Sequence, residues 1–182
     1  MFKTKHYSSE GIVLARRNYS EADRILVVYS KHYGKISLLA KGVRKPKSRK
    51  RGSLEVFSRT KFTASRGRNL DILTEVELID SYKHIRKDLR KASLAYFFVE
   101  VVNRLVQAEE KNYQFYIHFI NYFQLIKTTS LLKRLKEYFI YDCLVLLGFW
   151  PKGKKMDYPD QVLEDITERK LSSARIGKKI LS

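Results

Sequence analysis

The sequence predicts an α+β chain: an N-terminal five-stranded OB-fold β-barrel followed by an α-helical bundle. Three observations carry this. Residues 1–80 hold five short β-favouring runs separated by turn signals. From Ser81 onward, apolar residues recur at helical spacing. Of the 182 residues, 44 % are apolar, enough to fill a core and too many for disorder throughout. Five such strands suit a small barrel or sandwich, and a five-stranded barrel of this size is the OB pattern. The expected division is a barrel domain over 1–80 and a helical domain over 81–182.

The strands are read in order. Residues 11–15 (GIVLA) and 24–30 (RILVVYS) are the first two. A turn, Lys31-His32-Tyr33-Gly34, follows, and its glycine suits a left-handed position. Residues 35–41 (KISLLAK) partly alternate and form the third strand, residues 54–63 the fourth and residues 72–79 the fifth. In the second half, 88–107 carries a dense apolar set from Leu89 to Leu105 and a narrow polar stripe of Ser93, Glu100, Arg104 and Gln107. A helix this apolar is buried over most of its surface. Residues 113–127 repeat the pattern, with Gln114, His118 and Asn121 as the polar stripe. A third helix covers 131–147, ended by Gly148 and stopped by Pro151. A fourth, weaker one is expected over 160–171, with Val162, Leu163, Ile166 and Leu171 apolar, before a fraying end through Lys178-Lys179.

Charge narrows the function. The chain holds 37 Lys and Arg against 19 Asp and Glu, a formal charge of +18. Such an excess attracts polyanions: nucleic acid first, an anionic membrane surface second. Residues 1–80 carry 18 basic and 8 acidic residues, a net +10, so charge is denser on the barrel. The lone cysteine, Cys143, excludes an internal disulfide framework and any multi-cysteine site. It reads as a buried apolar thiol. No signal peptide and no membrane span are expected, the longest uncharged apolar runs being too short.

The most informative stretch is Lys41-Gly42-Val43-Arg44-Lys45-Pro46-Lys47-Ser48-Arg49-Lys50-Arg51-Gly52. Seven of its twelve positions are basic and none is acidic. Like charges this dense repel one another unless a polyanion is present. The loop is therefore expected to be mobile until it binds, and to act as a phosphate-binding arm. Arg16, Arg17, Arg24, Lys35, Arg66 and Arg68 lie near strand ends, where they can line a groove. Tyr19, Tyr29 and Tyr33 are candidate base-stacking residues, with packing as the plainer role for each. Binding through Lys and Arg to phosphate carries no sequence information and is salt-sensitive.

Several segments then look familiar together. Gly11-Ile12-Val13-Leu14, Tyr19 to Leu26 (YSEADRIL), Gly34-Lys35-Ile36-Ser37 and Ala40 to Ser48 (AKGVRKPKS) resemble the N-terminal region of the RecO family of bacterial recombination mediators. Leu54 with Phe57-Ser58, and Arg66-Gly67-Arg68 before Leu73-Thr74, continue the match. It covers about residues 7 to 80 well and the helical half more loosely. The resemblance implies an OB-fold, then a helical domain. It implies binding to single- and double-stranded DNA, annealing of complementary strands, work with RecR, and help in loading RecA onto DNA coated by single-stranded-DNA-binding protein (SSB). It implies a nucleoid-associated place in the bacterial cytoplasm and binding of the acidic SSB tail. Arg86, Arg90, Arg104, Lys133 and Arg134 are the cations available for that tail. The aromatic-rich set from Tyr96 to Phe123 is mainly core, with a part left for an apolar pocket.

The chain departs from the family where many members carry a four-cysteine zinc module, after the helix that here ends at Gly148. The four histidines are scattered, so no structural zinc and no other cofactor are expected. Glu21 and Asp23 beside Arg24 read as ion-pairing or turn-capping residues. Neither GxxxxGK[ST] nor GxGxxG occurs. No enzyme is expected. The alternatives are a protein–protein adaptor with a secondary basic surface and, last, a nuclease, which lacks clustered acids.

Overall fold

A computed structural model of the chain describes residues 5–168. Five strands close into one barrel in the order β1-β2-β3-β5-β4. They are β1 (His6–Tyr19), β2 (Asp23–Ser30), β3 (Gly34–Ala40), β4 (Arg59–Ser65) and β5 (Asp71–Asp80). All neighbours run antiparallel except β3 and β5, which meet in parallel at Leu38–Asp71 and Leu39–Ile72. The order and closure are those of an OB barrel, which settles barrel against sandwich.

The first strand is longer than the run 11–15 suggests because it serves two partners. Its first half pairs with β4 from His6–Ser65 to Ile12–Arg59, and its second half with β2 from Gly11–Ser30 to Tyr19–Asp23. A register shift between Val13 and Ala15 lets the strand bend from one to the other. In β3 the alternation is complete: Gly34, Ile36, Leu38 and Ala40 are buried and the residues between them are not. Ile36, Leu38 and Ala40 join Val13, Leu26, Val28, Phe62 and Leu73 in the barrel core.

Two expectations change. Residues 54–58 are not strand. A single 3-10 turn, Arg51–Leu54, leads into a bend, and Leu54 and Phe57 are fully buried. Phe57 adopts a left-handed backbone (φ 56°), and its N–H donates to the Val13 carbonyl at 2.7 Å. The apolar residues that suggest a strand here are Leu54, packed into the barrel core, and Phe57, buried beside the Val13 backbone. The basic loop is likewise no free arm. Val43 is completely buried. The Arg44 N–H donates to the Ala22 carbonyl at 2.9 Å, the Gly42 N–H to the Asp23 carboxylate at 2.7 Å, and the Lys50 ammonium to the Thr74 carbonyl at 2.5 Å. Backbone bonds from Lys45 to Gly42 and from Ser48 to Lys45 set its turns.

The described chain forms two compact units. One holds the barrel up to Ser81 together with Gln107–Tyr113; the other holds Tyr82–Val106 and the chain from Gln114 on. Gln107–Tyr113 forms a strap on the barrel. Ala108 bridges to Lys35, the Glu109 N–H donates to the Lys35 carbonyl at 2.9 Å, and the Tyr29 hydroxyl donates to the Asn112 carbonyl at 3.3 Å.

The second unit contains α1 (Lys83–Lys87), α2 (Leu89–Leu105), α3 (Tyr113–Thr128), α4 (Leu132–Leu146) and α5 (Pro159–Thr167). Asp88 caps α2, accepting from the Arg90 and Lys91 N–H groups. Gly148, with φ 79°, ends α4 as expected. The Phe149 N–H reaches back to the Leu144 carbonyl and the Gly148 N–H to Val145, a Schellman closure. Phe98 stacks on Phe139 with centroids 3.8 Å apart, and Phe119, Tyr122 and Phe123 close around them. Asp142 on α4 accepts from the Tyr122 hydroxyl at 2.5 Å and lies 3.0 Å from His118 Nε2. His118 therefore ties α3 to α4 instead of only facing solvent. Cys143 is buried, and burial pushes its thiol well up. Leu89, expected on the apolar face, is exposed, as are Tyr96 and Tyr113. Leu171 and the end through Lys178-Lys179 lie outside the described residues. Among the described residues, no helix is long and apolar enough to cross a membrane.

Candidate nucleic-acid interface

The tied loop gathers one group of cations. Its bonds to Ala22, Asp23 and, through the Arg44 guanidinium, the Ser20 carbonyl at 3.1 Å seat it on the β1–β2 turn. Arg16 and Arg24 project from the two strands that this turn joins; Arg16 is in register with Leu26, and Asn18 with Arg24. Arg16 pairs with Glu55, just past the 3-10 turn. Arg24 donates through Nε to the Asn18 side chain at 3.3 Å. Burial lowers the proton affinity of its guanidinium, and the positive charges of Arg16, Arg51 and Arg44 lower it further against the opposing pull of Glu55. Arg16, Arg24, Arg44 and Arg51 thus share one patch. Arg17, Lys41, Lys45, Lys47 and Arg49 are exposed around it or along the loop.

Other expected residues lie elsewhere on the barrel. Lys35 is the second residue of β3, about 20 Å along the strand from the loop's start at ~3.3 Å per residue. Burial depresses its ammonium. Arg66, at the end of β4, belongs to a second group. It pairs with Asp71 at 3.1 Å and lies 4.5 Å from the Tyr7 ring centroid. Tyr7 contacts Tyr33 at 4.5 Å between centroids, and the Lys111 ammonium lies 5.7 Å from the Tyr33 ring. Burial, then the hydrogen bond to Asp71, raises the Tyr7 phenol. Arg68 is exposed in the hairpin between β4 and β5.

Of the stacking candidates, Tyr29 is wholly buried and has no face to offer a base. Tyr33 is half-buried against Tyr7. Tyr19 is 51 % exposed at the end of β1, opposite Asp23 and next to the arginine patch. Asp23, expected to pair with a cation or cap its own turn, instead accepts from the Gly42 N–H and so holds the basic loop. Sequence reasoning missed Tyr7, Glu55 and Lys111. Glu55 had a signal, as the one acid flanking a run of seven cations.

On the helical unit, Arg90, Lys133 and Arg134 line one cavity of about 480 Å³ with Leu131 and Glu137. Arg104 lines a different one and pairs with Glu100 at 2.7 Å. Arg86, on α1, is not among the residues lining either cavity. The apolar side of the first cavity is leucine, with no aromatic residue. Among the described residues, no three His, Cys, Asp or Glu side chains gather as a metal site.

Residues 3–82 match the family model described as "Recombination protein O N terminal". The chain is 33 % identical over 147 residues to the DNA repair protein RecO of Pelotomaculum thermopropionicum, covering 81 % of this chain and 57 % of that protein. It is 39 % identical over 108 residues to the DNA repair protein RecO of Desulforamulus reducens, covering 59 % and 42 %. The match to the same protein of Moorella thermoacetica is 33 % over 111 residues, covering 61 % and 42 %. The chain spans about half the length of these curated relatives.

Proposed function

Because this chain belongs to the RecO family, we propose that it serves DNA repair in the bacterial cytoplasm as a DNA-binding and strand-annealing mediator without covalent catalysis. The observation that carries this is the seven-cation loop held on the β1–β2 turn, beside Arg16 and Arg24. Annealing brings two polyanions together, and a fixed cationic surface lowers their repulsion. Pre-ordering matters: a tied loop loses less conformational entropy on binding than a free arm would. Both single and double strands suit a surface that reads phosphates and not base edges.

The partners in this reading are RecR, the acidic tail of SSB and, indirectly, RecA. The cavity flanked by Arg90, Lys133 and Arg134 supports the tail contact, since it pairs three cations with exposed Leu131. Such a tail joins acidic residues to an apolar end.

Annealing of complementary fluorescent oligonucleotides, with and without SSB, tests the mechanism. The wild type is expected to anneal. A variant with Arg44, Lys45, Lys47, Arg49, Lys50 and Arg51 changed to Ala is expected to lose most of that rate. No annealing by the wild type, or an unchanged rate in the variant, refutes it, and strand cleavage in magnesium would favour a nuclease.

A further inference from the structure

We propose that Glu55 occupies a seat for one backbone phosphate: Arg16, Arg24, Arg44 and Arg51 hold a phosphodiester group there once nucleic acid displaces the carboxylate. This deepens the nucleic-acid reading above and rests on it. The first observation is Arg24. Its Nε is bonded to Asn18, but its Nη1 is buried from solvent and has no hydrogen-bond partner. A buried donor on a charged group without an acceptor is costly. The second is the imbalance around it. The charges of Arg16, Arg44 and Arg51 all bear on Arg24, the carboxylate of Glu55 opposes them, and that carboxylate is paired with Arg16. Asp23, the other acid tied into this turn, accepts from the Gly42 N–H.

The chemistry fits an exchange. Carboxylate and phosphodiester oxygens both match the guanidinium fork, so one can replace the other without rebuilding the site. The Arg16–Glu55 pair is weakly held, with side chains 31 % and 37 % exposed, and pairs that open to solvent contribute little. A phosphodiester presents its two charged oxygens on a tetrahedral centre that is not tethered to this chain, so in the proposed seat it can also serve the unpartnered Nη1 of Arg24. Tyr19, exposed across the same β1–β2 ladder, is placed to stack a neighbouring base. In the absence of nucleic acid, Glu55 limits the repulsion among the arginines; in its presence, Glu55 competes. The seat makes binding tunable by a single carboxylate.

Fluorescence anisotropy with a labelled oligothymidylate, across a sodium chloride series, tests this on the full chain. Glu55→Gln is expected to tighten binding about two- to fivefold. Arg24→Gln is expected to weaken it and to make the slope of log K against log salt shallower by about 0.7. Glu77→Gln removes the same charge from exposed β5 and is expected to change little. If Arg24→Gln melts below the assay temperature, Arg51→Gln replaces it. Wild-type binding with Glu55→Gln unchanged, or matched by Glu77→Gln, overturns the seat and leaves the DNA-binding reading standing. No wild-type binding overturns both.

Discussion

Glu10 lies between two cations, 2.9 Å from Arg59 and 3.3 Å from Lys31. Burial alone would raise its carboxyl; Arg59 and Lys31 outweigh burial and hold it below its ordinary value. A carboxyl so lowered stabilises the fold above the unfolded value and loses that contribution as pH falls through the folded one. In urea unfolding at pH 7, Glu10→Gln is expected to cost about 1 kcal/mol, and the gap from wild type is expected to close as pH falls below the ordinary glutamate value of 4.5. Gly34 is constrained differently. Its φ is +65°, and an added Cβ would sit 2.2 Å from the Glu110 carbonyl oxygen. Gly34→Ala is expected to cost at least about 2 kcal/mol, the left-handed backbone alone contributing roughly 1–2, as read from thermal unfolding by circular dichroism.

The loop over 41–52 is held at its root by Val43, an apolar residue among seven cations. Val43→Asn is expected to release it, seen as faster hydrogen exchange at the Arg44 and Ser48 amides and weaker annealing at unchanged net charge. Its cations were legible in the sequence; its tethering was not, because Val43 offers no periodicity and the groups that receive the loop, Ala22 and Asp23, lie about twenty residues away. The strands and long helices were legible since alternation, helical spacing and Gly148 act locally. Leu54 and Phe57 misled because a short apolar run leading into a true strand looks like its beginning, and a left-handed Phe leaves no mark in composition. The grouping of Arg90 with Lys133 and Arg134 needs α2 and α4 brought together, and the parting of Lys35 from the loop depends on which end of β3 it occupies; neither is a local property.

Across the whole molecule, the +18 charge resolves into separate surfaces. If about five phosphates are contacted, single-strand affinity is expected to fall with a log–log salt slope of roughly −3.5. The surfaces are expected to be separable: Ala at Arg90, Lys133 and Arg134 should weaken binding of an acidic, apolar-ended peptide while sparing oligonucleotide annealing, and the six-Ala loop variant should do the reverse. Equal damage to both by either variant would refute the division. The strap over Gln107–Tyr113 bears on how the protein can be taken apart. A fragment cut after residue 80 keeps every strand but loses the carbonyl that Tyr29 reaches and the amide that meets the Lys35 carbonyl. The compact unit that holds the barrel is therefore discontinuous in sequence. Dissection would succeed by grafting 107–113 behind β5 through a short linker, and simple truncation would yield a barrel with one flank stripped.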